Sequence, residues 1–223
     1  TDAYGTSSQT LTNFIEISSQ CGSPTPEPTP GNLAQLSGAT NGDYLKVEDL
    51  NVTKSAFSFS CWIKPNGIQE DYSAIFNTQD NNSAFALNFL GGDNTIGFHP
   101  TWWWSSGLQA PANQWSHIAL VSNGTSVKIY VNGVESVNNT ALPSEVITKL
   151  DIGRYGRGYT NRYTNLELDE VCLWNRALTI DEIRQWRHLT KNNTSEPITN
   201  GLIAYYQFNE SNGNLSVNKI SNT

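Results

Sequence analysis

The chain has 223 residues, with 13 Lys plus Arg against 20 Asp plus Glu and a formal net charge of -7. That length suits one large all-β domain, or one ordinary domain with a tail, and is too short for a multidomain enzyme. The acidic balance excludes the basic footprint of a nucleic-acid binder, and no run approaches the ~20 apolar residues that insert across a membrane, so neutral glycans and cations remain as partners.

Charged residues make up only 15% of the chain, so its polar surface must come from Asn, Ser, Thr, Gln and Gly, as suits a secreted or cell-surface protein. Met is absent, which marks a processed chain or a piece of a longer one. Cys21, Cys61 and Cys172 are odd in number and lack CxxC or Cys/His spacing, so neither a disulfide framework nor a zinc site is expected.

Residues 1–20 are rich in Ser and Thr and read as an N-terminal arm or the end of a preceding module. CGSPTPEPTPG (21–31) follows. Alternating Pro and Thr can form neither a ladder nor a helix, so this run is an extended linker and the main domain is expected over 32–223. From residue 32 to about 169, short β-type runs alternate with turn residues and helical periodicity is absent. FSFSCWIK (57–64) sets Phe57, Phe59, Cys61 and Ile63 on one face and Ser58, Ser60, Trp62 and Lys64 on the other, a strand with one buried face.

His99 and Pro100 lead into Trp102, Trp103 and Trp104, at a strand end or in a loop. Side chains alternate along an extended chain, so three consecutive Trp cannot all enter one core. An exposed indole offers its flat face to a sugar ring, which makes these Trp candidate ligand-binding residues. The alternative has two of them plugging the rim of a sandwich. Polar support would come from Asp71, Tyr72, Asn77, Asp80 and Asn82 on a neighbouring loop, or from Arg154, Tyr155, Arg157 and Tyr159.

WSHIALVS (115–122), SVKIYV (126–131) and residues 134–137, separated by Asn123-Gly124 and Asn132-Gly133, predict an antiparallel meander with Asn-Gly turns. Cys172 alternates with the core-type Val171 and Leu173 and should face away from Cys61; a Cys21–Cys172 bridge would need the linker to fold back. The one helix candidate is 179–189, where Thr179 and Glu182 form a capping box and Ile183, Trp186 and Leu189 share a face. An all-β chain with one late helix points to a sandwich.

Six stretches together resemble the laminin-G-like and pentraxin-like modules of the concanavalin A-like lectin/glucanase superfamily: SGATNGDYLKV (37–47), AFSFSCWIKP (56–65), WSHIALVSNGTSVKIYVNG (115–133), LDIGR (150–154), LDEVCLWNRALTIDEI (168–183) and GLIAYYQFNE (201–210). The resemblance covers nearly all of the chain after the linker. It implies a two-sheet antiparallel jelly-roll sandwich, with the last stretch completing it beside the strand near Ser37. It also implies a structural Ca2+ where the loop before the first long strand meets the late DEV strand, held by Asn41, Asp43 and Asp169; oxygen ligands on loops suit that ion. The other reading of these residues is a β-turn with an Asx cap.

Glycosidases of this superfamily carry carboxylates at alternate positions of one strand, so Glu167, Asp169 and Glu170 need a test. Glu167 and Asp169 share a face, the next position on it is Val171, and Glu170 points away unless a bulge intervenes. That breaks the close carboxylate pair which retaining hydrolysis requires. His99, His117 and His188 lack metal or triad spacing. The expected function is therefore a non-catalytic carbohydrate-binding or adhesive module, a lectin-like partner for glycans or glycoproteins. His99, Tyr72, Asn77, Arg154 and Tyr155 would support stacking by Trp102, Trp103 and Trp104. The alternatives are a protein-interaction module of a surface assembly and, third, a glycoside hydrolase.

Overall fold

The computed structural model describes residues 32–38, 42–78, 85–99, 104–156, 162–192, 198–210, 216 and 218–220. The arm and linker expected over 1–31 lie outside these residues. Two antiparallel sheets carry the fold. The larger is ordered β1 (Ala34–Ser37), β14 (Asn165–Trp174), β4 (Ala56–Pro65), β9 (Ser116–Asn123), β10 (Val127–Val131) and β11 (Val134–Asn138), with β15 (Leu202–Tyr206) also pairing to β14. The smaller is ordered β2 (Leu45–Val47), β13 (Leu150–Ile152), β5 (Ala74–Thr78), β6 (Ala86–Leu90), β7 (Thr95–His99) and β8 (Trp104–Gln109). A short ladder joins β3 (Val52–Thr53) to β12 (Val146–Ile147). This is the sandwich that the alternating runs predict, of the jelly-roll type that the resemblance implies.

The core lies between the sheets. Phe57, Phe59, Cys61 and Ile63 of β4 all enter it, as their alternation requires. Aromatic rings cross the gap between the layers: Phe59 meets Phe76 at 4.5 Å, and Phe57 meets Phe85 at 5.6 Å between ring centres. The Asn132-Gly133 turn adopts φ of 52° and 78°, the left-handed pair that a two-residue hairpin between β10 and β11 needs.

The opposite face of β4 corrects the sequence reading. Trp62 is 0% exposed, and Ser58 and Ser60 are buried too. Trp62 packs edge to face on His117 of β9 at 5.4 Å, and a second apolar layer covers the neighbouring strands of this face. Helix α1 (Ile180–Asn192) places Ile183 and Trp186 against Val121, Tyr130, Cys172, Trp174 and Tyr205 on the outer face of the larger sheet. Trp174 and Trp186 meet edge to face at 5.9 Å. The Ser58 hydroxyl donates to the carbonyl of Arg176 and accepts from the N–H of Leu178, both at 2.8 Å, so a residue that looks surface-polar ties the strand to the segment entering the helix. The capping box forms as predicted: the Glu182 carboxylate accepts from the N–H of Thr179 at 2.8 Å, and the Thr179 hydroxyl accepts from the N–H of Glu182 at 3.2 Å. The Leu189 and His188 side chains lie outside the described ones.

Cys61 sits in the inter-sheet core and Cys172 under the helix, on opposite faces of one sheet; both are free, and burial pushes both thiols up. Cys21 lies outside the described residues. Strands β15 and β1 lie end to end along β14, the first beside its C-terminal half and the second beside its N-terminal half. The Asn32 amide spans the junction by donating to the carbonyls of Asn209 and Glu210 at 3.4 and 3.3 Å. GLIAYYQFNE thus completes the sheet in line with the strand near Ser37. Among the described residues no helix is long and apolar enough to cross a membrane.

Candidate functional site

Residues opposite each other in an antiparallel ladder point to the same face. Pairing in the smaller sheet aligns Lys46, Asp151, Asn77, Ala86 and His99 across five strands. Their chain neighbours Phe76, Leu87 and Phe98 fill the core, so this row lies on the outer face. Next to it Ala74, Asn88, Gly97 and Ser105 form a second row.

The chain after β13 folds back over these rows. Arg154 bridges to Tyr163, and the N–H of Tyr155 donates to the Arg162 carbonyl at 2.9 Å. Tyr155 packs on Ala74 and Ala86, and its hydroxyl meets Nδ1 of His99 at 3.3 Å. The Arg162 guanidinium lies 5.1 Å from the Tyr155 ring and 5.0 Å from that of Tyr72. Arg154 donates from Nε to the buried Asp151 carboxylate at 2.6 Å and stacks 3.5 Å from the Tyr44 ring.

Asn77 is 1% exposed, and among the described residues neither atom of its amide has a hydrogen-bond partner. The Oδ1 of the buried Asn88 is in the same condition, while its Nδ2 donates to the Phe89 carbonyl at 2.9 Å. Buried polar atoms are nearly always satisfied, because leaving one bare costs about 1–3 kcal/mol. Asn77 and Asn88, diagonal neighbours on adjacent strands of one sheet face, thus keep buried amide atoms without a partner among the described residues.

Of the residues expected to bind ligand, Tyr72, Asn77, His99, Arg154 and Tyr155 gather on this face. Trp104 does not. It pairs with the core residue Phe98, so it points inward and packs half-buried at the rim, which matches the plug alternative and removes it as a stacking platform. Trp102, Trp103, Asn41, Asp80, Asn82, Arg157 and Tyr159 lie outside the described residues. Asp71 is exposed and caps the β6–β7 turn by accepting from the N–H of Gly91. Sequence reasoning missed Arg162 and Tyr44; the signal for Arg162 was the Arg/Tyr alternation of RYGRGYTNRYT (154–164), whereas Tyr44 lies outside that run.

Register separates the two carboxylates expected to share a calcium ion. Asp43 accepts from the N–H of Ser37 at 3.3 Å, and Ser37 pairs with Asn165. Asp169 is four residues further along β14, about 13 Å away at the usual rise of a strand, where it stands opposite Trp62 on the helix-bearing face. The two carboxylates do not meet. Among the described residues no group of three His, Cys, Asp or Glu side chains is placed to hold a metal.

A bulge does intervene at the carboxylate run. The β14–β4 register shifts between Asp169 and Cys172, and Glu170 adopts φ of 52°. Leu166, Leu168, Val171 and Leu173 keep to the core on both sides of the extra residue, so Glu170 is released from it and its carboxylate accepts from the Tyr205 hydroxyl. Burial pushes Asp169 up to about 7, with the charge of Glu170 adding to it. Burial likewise raises Glu170 to about 7 against the opposing hydrogen bond from Tyr205. This pair lies on the larger sheet, across the sandwich from the Asn77 face.

The family model described as the Concanavalin A-like lectin/glucanases superfamily, of laminin G type, matches residues 39–184. The chain belongs to this family. No curated protein matches it. Among solved structures it is similar to domain 4 of AbnA, a GH43 extracellular arabinanase from Geobacillus stearothermophilus in complex with arabinotriose, at 23% identity over 69% of this chain and 75% of that one, with a TM-score of 0.55. It is also similar to a native heptameric SAP-like pentraxin from Limulus polyphemus, at 17% identity over 76% of this chain and 89% of the other, with a TM-score of 0.56. A Trypanosoma rangeli sialidase is matched at 13% identity and a TM-score of 0.57 over 77% of this chain, which spans only 29% of that enzyme. At these identities the likeness is one of fold. That fold carries both sugar-binding modules and glycosidase domains.

Proposed function

We propose that this chain is a non-catalytic glycan-binding module of a secreted or surface-displayed protein, and that it holds sugar on the outer face of the smaller sheet. The observation that carries this reading is the unpartnered, buried Asn77 amide beside Asn88, flanked by the Tyr155 ring, His99 and the Tyr-stacked Arg162. Sugar hydroxyls both donate and accept, as an amide does, and aromatic rings cover the apolar face of a pyranose or furanose. The arabinotriose complex of the AbnA domain supports the ligand class.

Catalysis is not part of this reading, because the carboxylates with raised pKa, Asp169 and Glu170, lie on the opposite sheet, where Glu170 accepts from Tyr205. Calcium enters only at Asp43, without Asp169, and is tested by chelation. A single shallow site binds modestly, and display on the Pro/Thr linker would raise effective concentration.

A glycan-array screen of the full chain, beside an Arg162→Ala/Tyr155→Ala variant and with and without EDTA, tests the proposal. Binding that disappears in the folded variant is the expected result. A folded wild type that is silent across the array, or a variant that binds unchanged, overturns it.

A further inference from the structure

The sandwich closes on one side and gapes on the other. At the β8–β11 side the Ser136 hydroxyl donates to the Ser106 carbonyl at 2.8 Å and draws the sheets together. At the other side β2 is only three residues long and β1 and β15 share one strand position along β14. Two adjoining clefts result, of about 620 and 450 Å3, sharing Tyr44, Leu45, Phe208 and Ser216. Both lie within the range of small-ligand sites.

Their floor is aromatic. The Tyr206 and Phe208 rings stack at 6.5 Å and 21° where β15 ends, and Tyr206 stays half-buried rather than closed over. Their polar groups are already charge-matched: Lys46 pairs with Glu48 at 2.9 Å, Lys219 with Glu210 at 3.3 Å, and Asp43 accepts from Ser37. A groove with a stacked aromatic floor and neutralised charges favours an uncharged ligand with both apolar faces and hydroxyls. Tyr44 lines both clefts, and its ring is covered by Arg154 of the sheet-face site. Tyr44 and Arg154 thus set the groove next to the sheet-face site.

We propose that the ligand is a linear neutral oligosaccharide that begins on the outer face at Asn77 and runs past Tyr44 into the open edge over Tyr206. This rests on the sheet-face reading above and extends it: the protein recognises a stretch of chain rather than a terminal sugar. Calorimetric titration of the full chain with arabino-, xylo- and cello-oligosaccharides, from mono- to hexasaccharide, tests it. Within the series that binds, affinity should rise about tenfold between di- and tetrasaccharide, the gain of one or two added stacking contacts. Tyr206→Ser should abolish that rise and leave the shortest ligand unaffected; Tyr206→Leu, which fills the position without a ring, should blunt the rise and serves if Tyr206→Ser fails to fold. Binding whose affinity is independent of length in the wild type overturns the edge site and leaves the face site standing. Absence of binding to every series by the folded protein overturns both.

Discussion

Replacing Glu170 by Gln should stabilise this protein at alkaline pH, and the size of the effect follows from the bulge. In the unfolded chain Glu170 titrates near its ordinary 4.5, whereas in the fold burial raises it to about 7. One pKa unit corresponds to 1.36 kcal/mol, so ionising Glu170 in place costs the native state roughly 3 kcal/mol. The sign is that of a raised carboxylate: between about pH 4.5 and 7 the native state binds more protons than the unfolded chain, so stability falls as pH rises through that window. Asp169 moves in the same direction, and each charge raises the cost of the other. Glutamine keeps an oxygen to accept from Tyr205 and removes the charge. Urea unfolding at about pH 4.5 and pH 8 checks this. The variant should match the wild type at the lower pH and exceed it by on the order of 2 kcal/mol at the higher, a midpoint shift of about 1 M. A wild type equally stable at both pH values, or a variant weaker at pH 8, refutes the reasoning.

Three further outcomes are expected. Gly153→Ala should cost at least ~2 kcal/mol, because Gly153 holds φ of 94° and an added Cβ would lie 2.4 Å from Leu36 Cδ1 in the core; thermal unfolding reads it. Thr179→Ala should cost about 1 kcal/mol by removing one half of the capping box, measured as a shift in the urea midpoint. Phe59→Ala should cost about 3–5 kcal/mol, because its ring is one of those spanning the sheets, and Trp104→Ala at the rim should cost clearly less in the same assay.

The fold was largely legible because alternation and turn chemistry agree over most of the chain. FSFSCWIK places its four core residues without ambiguity, and Asn132-Gly133 and the Thr179/Glu182 box are local devices that act through their own backbone. What stayed hidden depends on distant partners. The burial of Ser58 needs the segment at Arg176–Leu178, more than a hundred residues away, that of Trp62 needs His117 of a neighbouring strand, and the bulge at Glu170 is invisible until β14 is laid against β4. The candidate site divides in the same way. Tyr72, Asn77, His99, Arg154 and Tyr155 were found as polar and aromatic residues near strand ends, but the three-Trp run drew attention to Trp104, whose direction is settled by its pairing with Phe98. Asp43 and Asp169 were joined by resemblance, and strand register separates them.

The central claim is that glycan lies on the outer face of the smaller sheet and satisfies its bare amides. Nuclear magnetic resonance of the isotopically labelled chain, titrated with the best oligosaccharide from the array, reads this directly through the side-chain amide signals. The account predicts that the Asn77 and Asn88 side-chain amides and the backbone signals of His99, Tyr155 and Arg162 move together and saturate at one Kd. Shifts confined to the helix-bearing face around Glu170 and Tyr205, with Asn77 and Asn88 unmoved at saturation, would contradict it.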